Sequence, residues 1–581
     1  MHDKKFQKSI GRRFIFISLL FGFFAVVILS RLFYIGIIRH EYYRGVAEDQ
    51  HRLSEILPSK RGKIFFQDKF GNQKVAAFSE DVYDVVVSPD IIEDIDGTAS
   101  LFSDFFGKPK ELYRAHLEKP DDKYEIIEKA VPSERTDELG KLGIPGLTLI
   151  PGSKRLYPGK ELAAHVLGYV GFQGEGSAGL YGVERYYDGE LRGLAGSLEG
   201  EKSATGYWLA IGKRIISDPV NGSDVILTID HNIQKKAEDE LKLAIEKWSA
   251  ESGSVLVLEP KTGRILSLAA YPVFDPNEYF KEKDYSVFKN PIVESLFELG
   301  SVFKPVTMAM AINENLVNPR TVYTDTGEVR IGGYTIKNFD EKKNGVQTMT
   351  QVLEKSLNTG AVFVGTLLGK ERFKRYVADF GFGEKTGIDL PGELFGNVSN
   401  LRYMRDIDFA TASFGQGVGI TPLQLAMAIA AIANGGLLMR PYVVESIRNE
   451  NGTVYEVAPE TVRKVLNPDT AEALSIMLVS VVKNGYEGRA GVDGYLVAAK
   501  TGTAQIPSPD SRGYSADVIH SFVGYAPAFD PKFLIYMQLN KPTGNRFAAN
   551  TLTVPFHNMI QYLLNYYEIP PGQQSSQSAP Q

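Results

Sequence analysis

The sequence predicts an α+β fold, with helices packed on one antiparallel sheet. A single N-terminal transmembrane helix and an elongated, β-rich pedestal domain precede it. Three observations predict this. Strand-like runs stand at both ends of the C-terminal part with helical stretches between them. Residues 39–217 mix short β-like runs with Gly/Pro turns. Residues 14–38 form one apolar run, FIFISLLFGFFAVVILSRLFYIGII.

The apolar run comes first. At roughly 1.5 Å per residue it crosses a hydrocarbon core with residues to spare. A cleaved signal has a shorter apolar region, about 7–15 residues, ending in small residues. This run is longer and ends in Arg-Leu-Phe-Tyr, which favours an uncleaved anchor. Lys4, Lys5, Lys8, Arg12 and Arg13 precede it against one acid, Asp3. The positive-inside rule makes residues 1–13 a cytoplasmic tail and puts everything after about Arg39 outside. Arg31 either snorkels outward or faces a partner helix in the bilayer.

The pedestal, 39–217, contains strand-like Val82–Val87 and no evident nucleophile or acid pair. The pattern changes near Asn221-Gly222-Ser223-Asp224, and a second domain is expected over 218–568. Val225–Ile229 reads as a strand, and Asp230 can cap a helix from His231 to about Lys247. That helix carries Ile233, Ala237, Leu241 and Ile245 at helical spacing. Residues 254–270 read as a hairpin turning at Lys261-Thr262-Gly263. Strands return at Leu496–Gln505, Ser521–Tyr525 and Phe533–Leu539. The end of the chain, 569–581, is low-complexity and expected to be disordered.

Composition narrows the chemistry. The 581 residues suggest two to four domains at about 150 each. Net charge is −6 with both signs interspersed, which argues against nucleic-acid binding. With no cysteine, the chain has no disulfide, thiolate zinc site or cysteine nucleophile. The eight histidines are scattered, none at a metal-binding spacing. A Ser-His-Asp triad stays open, because its members can lie far apart in sequence.

A serine three residues before a lysine can be a nucleophile beside its base, since positions i and i+3 share a helix face. Burial would lower the lysine's pKa and let it accept a proton. Ser-Val-Phe-Lys occurs twice, at Ser286–Lys289 and Ser301–Lys304. The first copy runs into Asn290-Pro291 and has polar flanks, which suit an exposed turn. The second opens an apolar run led by Pro305, where proline is tolerated in a first helical turn. Ser301 would then sit at a helix N-terminus, which favours developing negative charge. Lys-Thr-Gly occurs three times: in the 261–263 turn, in the Gly-rich loop at 385–387, and at Lys500-Thr501-Gly502-Thr503 in a strand. A strand edge can pair with an extended peptide. Ser356-Leu357-Asn358 lies between them, at the junction of two helical segments.

Taken in order, SVFK, SLN and KTGT match the S-x-x-K, S-x-N and K-T-G set, and the chain resembles the class B penicillin-binding proteins, which are peptidoglycan D,D-transpeptidases. Arg61-Gly62-Lys63-Ile64, Arg155-Leu156-Tyr157-Pro158, AAHVLGYVG and Gly182-Val183-Glu184 resemble the pedestal motifs. TIDHNIQ, SFGQGVGITPLQLA and HSFVGYAPAFDP resemble catalytic-domain landmarks. Two departures are QDKFGN after the Arg-Gly motif and Leu299 where the family has proline. SLN followed by Thr-Gly, and FGQGVGITPLQLA, are more similar to the septal branch than to the elongation branch.

The resemblance implies a serine β-lactamase-like transpeptidase domain over 218–568. It implies catalytic Ser301, Lys304, Ser356, Asn358 and Lys500, with Thr501, Gly502 and Thr503 binding substrate, and no metal or organic cofactor. Ser301 would attack the penultimate D-alanine of a D-Ala-D-Ala donor stem peptide, and β-lactams would acylate the same serine. The implied partners are peptidoglycan stem peptides, the membrane and a polytopic membrane glycosyltransferase. Competing readings are a D,D-carboxypeptidase or β-lactamase-like hydrolase, and a scaffold that activates the glycosyltransferase without catalysis.

Overall fold

The computed structural model describes residues 3–43, 52–119, 122–173, 176–201, 215–486, 488–508 and 513–572. The end of the expected disordered tail, 573–581, lies outside the described residues. By contacts the chain divides into two compact units, Met1–Lys60 with Gly193–Asn221, and Arg61–Arg192 with Gly222–Gln581.

In the first unit a helix spans Asp3–Phe33 and passes into a π-helical turn, Tyr34–Ile38. Its stretch Ile15–Ile38 is long and apolar enough to cross a membrane, and none of it is buried in protein. The Arg31 guanidinium stacks over the Tyr34 ring, 5.7 Å from its centroid. The unit also holds a three-stranded antiparallel sheet. Gly196–Glu201 lies between Arg52–Leu57 and Ile215–Ser217.

The second unit contains two main sheets. In the first, Gln73–Val87 pairs antiparallel with Ile64–Gln67, Glu125–Pro132 and Leu147–Leu156. Asp224–Leu227 joins it parallel to Ile64–Gln67 and antiparallel to Val444–Arg448. Strands from three distant parts of the chain thus share one sheet. The β-rich pedestal also holds the helices Ile95–Phe106, Lys110–Leu117 and Ser133–Gly140. They bury Phe102, Tyr113 and Leu139 against Val85 and Val87 of the sheet.

The second sheet carries the candidate site. Its strands are β1 (Ser252–Leu258), β2 (Ile265–Tyr271), β3 (Ala498–Pro507), β4 (Tyr514–Ala526) and β5 (Phe533–Asn540), in the spatial order β2-β1-β5-β4-β3. All neighbours are antiparallel. Gly263 turns the β1–β2 hairpin at φ +83°, where a side chain would be strained. The helix His231–Trp248 starts at Asp230, whose carboxylate accepts from the N–H groups of Asn232 and Ile233. Ile233, Ala237, Leu241 and Ile245 are buried on the side facing the sheet. β3 is the edge strand, so one row of its backbone groups is left without a strand partner.

Candidate active site

The two SVFK copies adopt different structures. The first is a short 3-10 turn, Tyr285–Phe288, in which Ser286 is exposed and donates its hydroxyl to Asp284 at 2.7 Å. The second begins as a 3-10 turn, Gly300–Phe303, and continues as the helix Lys304–Asn313 with Pro305 in its first turn. Lys304 is 1% exposed, whereas Ser301 reaches the wall of an open cleft of about 730 Å³. Gly300 sets up the turn. Its φ is +63°, and a Cβ there would lie 3.0 Å from the Ala504 Cβ and 3.2 Å from the Thr503 carbonyl oxygen. The nucleophile turn therefore packs directly on β3.

The Lys304 ammonium donates to the Ser356 carbonyl at 2.5 Å and to Asn358 Oδ1 at 2.8 Å, and lies 3.3 Å from Ser356 Oγ. From the other side Lys500 Nζ donates to Ser356 Oγ at 2.9 Å and to the Thr501 carbonyl at 2.9 Å. Ser356 thus stands between two buried amines. It occupies the link between the helices Met349–Glu354 and Asn358–Leu368 at φ +55°, a strained conformation for a residue with a side chain. Asn358 Nδ2 donates to the Lys337 carbonyl at 2.9 Å, which ties the site to the strand Tyr334–Lys337.

Burial sets the electrostatics. It pushes Lys304 well below the usual lysine pKa, and the nearby Lys500 charge adds to the effect. Burial alone lowers Lys500 to about 7. Among the described residues, neither ammonium has a carboxylate as a hydrogen-bond acceptor.

Alternation along β3 sorts its residues. Thr501 and Thr503 line the cleft, and Thr503 Oγ1 accepts from the Ala548 N–H at 3.1 Å. The Thr501 N–H and hydroxyl donate to Tyr486 Oη at 2.8 and 3.2 Å, on the open side of the strand. Two residues on, the Thr503 N–H is directed to the same open side. Gly502, expected among the substrate-side residues, faces the opposite way. A Cβ there would meet the Leu299 carbonyl oxygen at 2.7 Å and the Val302 nitrogen at 3.0 Å. Glycine is needed so that the strand can approach the nucleophile turn.

The other sequence candidates lie elsewhere. Lys261–Gly263 is the hairpin turn, and Thr386 of the second Lys-Thr-Gly donates to the Glu393 carboxylate. Among the described residues, no histidine lines the cleft. His165 bonds the Val287 carbonyl, and His520 bonds Thr551 and the Arg546 carbonyl. Sequence reasoning missed Tyr486, which lacks a motif of its own, and the aromatic rim formed by Phe339 and Phe547. Arg546 stacks on that rim, 4.7 Å from the Phe339 centroid.

A family model for the penicillin binding protein transpeptidase domain matches residues 253–560, and one for the penicillin-binding protein dimerisation domain matches 56–227. Stage V sporulation protein D of Bacillus subtilis is 33% identical over 94% of this chain and 84% of its own length. A probable peptidoglycan D,D-transpeptidase, PenA of Neisseria meningitidis, is 29% identical over 94% of this chain and 91% of its own. The crystal structure of penicillin binding protein 3 from Mycobacterium tuberculosis, complexed with aztreonam, superposes with a TM-score of 0.69 at 27% identity, covering 90% of this chain and all of that one. A dimerisation domain, a transpeptidase domain and an N-terminal apolar helix on one chain are the class B arrangement, and the chain belongs to the class B penicillin-binding proteins, the peptidoglycan D,D-transpeptidases.

Proposed function

We propose that Ser301 is the nucleophile of this transpeptidase, that Lys304 takes its proton and that Ser356 relays a proton to the leaving amine. One observation carries the reading: Ser301 precedes Lys304 by one turn, and Lys304, Ser356 and Lys500 form a continuous hydrogen-bonded chain beside the cleft. Ser301 Oγ attacks the carbonyl carbon of the penultimate D-alanine and gives its proton to neutral Lys304. The N–H groups of Ser301 and Thr503 stabilise the oxyanion, a contribution of roughly 3–4 kcal/mol per donor. The C–N bond then breaks, and the proton passes through Ser356 Oγ to the leaving D-alanine amine. Lys500, Thr501 and Thr503 hold the terminal carboxylate, and Asn358 orients Lys304 and the donor backbone. An amine of a second stem attacks the ester, forms the cross-link and returns Ser301 to its hydroxyl form.

The match to a transpeptidase domain and the similarity to peptidoglycan D,D-transpeptidases favour transfer over hydrolysis. Asp340, Glu341 and Glu354 line the cleft, and Glu354 Oε1 accepts from Ser480 Oγ at 2.6 Å and Asn484 Nδ2 at 2.8 Å. The septal-type context of SLN and the similarity to a sporulation protein support a role in septal wall synthesis. The anchor holds the chain in the cytoplasmic membrane with its bulk outside. A polytopic membrane glycosyltransferase, which makes the glycan that this enzyme cross-links, is the partner that fits such an anchor.

The test is mass-spectrometric mapping of the residue modified by penicillin. Ser301 is expected to carry the adduct, and Ser301→Ala to abolish it while Ser286→Ala labels normally. An adduct on Ser286 would overturn the assignment.

A further inference from the structure

A second cleft of about 760 Å³ lies beside the β3–β4 hairpin, within the size range of ligand sites, about 300–1,000 Å³. The hairpin separates it from the catalytic cleft. Thr503, Gln505 and Tyr514 face the catalytic side, while Ile506, Pro507 and Ile519 line the second cleft. The partition is completed by Glu298, three residues before Ser301, which accepts a hydrogen bond from Tyr514 Oη at 2.8 Å. The two clefts also adjoin where Gln416 lines one and Gly417 the other.

We infer that this second cleft binds the amino-sugar backbone of the donor strand, the glycan to which the reacting stem peptide is attached. The inference rests on the proposed placement of the donor carboxylate at Lys500–Thr503. With the scissile bond there, the rest of the donor extends along β3 past Gln505 towards Pro507. Strands advance about 3.3 Å per residue, so the three upstream residues of a pentapeptide span roughly 10 Å. That reaches the end of β3, and the amino end of a stem is the end joined to sugar. The sugar therefore arrives where the second cleft opens.

The lining suits a saccharide. Asn397 uses Oδ1 to accept from Ser399, which leaves its amide donors for a ligand. Asn400 uses Nδ2 to donate to the Gly417 carbonyl, which leaves Oδ1 as an acceptor. Asn540 and Ser252, bonded to each other at 2.8 Å, add a polar pair. Tyr271 and Phe297 supply apolar ring surface beside these groups. Hydroxyls and N-acetyl groups need such mixed donors and acceptors, and sugar ring faces pack on aromatic surface.

The experiment uses the full-length enzyme and two donors, a disaccharide-pentapeptide and the same pentapeptide without sugar, each with one amine acceptor. Wild type is expected to show at least about a tenfold higher kcat/KM for the sugar-bearing donor. Ser295→Trp, which fills the cleft, and Asn397→Ala are expected to reduce that ratio severalfold while penicillin acylates Ser301 at the wild-type rate. If Ser295→Trp also slows penicillin, the exposed variant Asn397→Ala decides alone. Equal kcat/KM for the two donors in wild type, or a ratio unchanged in Asn397→Ala, would overturn the inference. Absence of the penicillin adduct at Ser301 would instead sink the catalytic assignment, so the two failures are distinguishable.

Discussion

Lys304 and Lys500 are chemically alike, yet the mechanism requires opposite charge states of them. Lys304 must be neutral to take the serine proton, and Lys500 must be charged to hold a carboxylate. Burial lowers both, and Lys500 to about 7. Free-enzyme kcat/KM for acylation is therefore expected to fall as pH rises through about 7, as Lys500 loses its proton. An arginine stays charged throughout that range. Lys500→Arg is thus expected to extend the alkaline limb to higher pH, at some loss of maximal rate because the longer fork fits the site less well. Stopped-flow acylation from pH 5 to 10 checks this, and an unmoved limb would assign it to another group. At this scale the sequence was informative where context accompanied the motif. Asn290-Pro291 after one SVFK and Pro305 before an apolar run after the other separate a turn from a helix start. The side on which Gly502 lies was not legible, because it depends on the nucleophile turn packing on β3 across a long sequence gap.

Elements with a strong local signal were legible. The helix after Asp230, the hairpin at Gly263 and the three strands of the C-terminal part appear within a few residues of their expected positions, β4 being longer. The pedestal helix Ile95–Phe106 was missed although its signals exist. Asp94 accepts from the Gly97 N–H at its start, and Gly107 ends it at φ +72°. The short strands between 322 and 348 are four residues each, too short for the alternation in Val322–Asp325 and Glu328–Ile331 to stand out, and a buried carboxylate organises the turns between them. Asp325 is 2% exposed and accepts from Asn344 Nδ2 at 2.7 Å, Thr359 Oγ1 at 2.7 Å and Asn338 Nδ2 at 3.0 Å. Burial opposes its charge, but these donors together hold its pKa below the usual value. Thr359 follows Asn358, so the network also braces the active site. Asp325→Ala strands several buried donors at about 1–3 kcal/mol each. It is expected to lower the melting temperature and slow penicillin acylation, with Asp325→Asn intermediate. Thermal unfolding and acylation measured together test this, and a variant with unchanged acylation would confine Asp325 to stability.

At the scale of the whole chain, a linear reading separates the pedestal from the catalytic part near residue 218, but contacts group Arg61–Arg192 with Gly222–Gln581. Pairing between Ile64–Gln67 and Asp224–Leu227 bridges about 160 positions, and nothing in either strand names its partner. The same core contains Ile64, Phe66, Val166 and Leu167 together with Val225, Ile229, Ile233 and Ala237, all nearly or fully buried. The buried carboxylate of Glu184 is held between Arg61 and Arg155, and Arg61 also pairs with Asp188 at 2.7 Å. Removing residues before 218 would therefore expose a strand edge and one side of that core, with the aggregation hazard of an unpaired edge. A soluble fragment from Arg52 to Gly572, which keeps the strand paired with Gly196–Glu201, is expected to be monodisperse, to unfold cooperatively and to bind penicillin. A fragment starting at 218 is expected to melt at lower temperature and to associate. Size-exclusion chromatography and thermal unfolding of the two fragments make the comparison. Equal melting temperatures would mean that the 218–568 segment closes its own core, and that the sheet contributed by residues 64–156 is an attachment to the catalytic fold, with no part in supporting it.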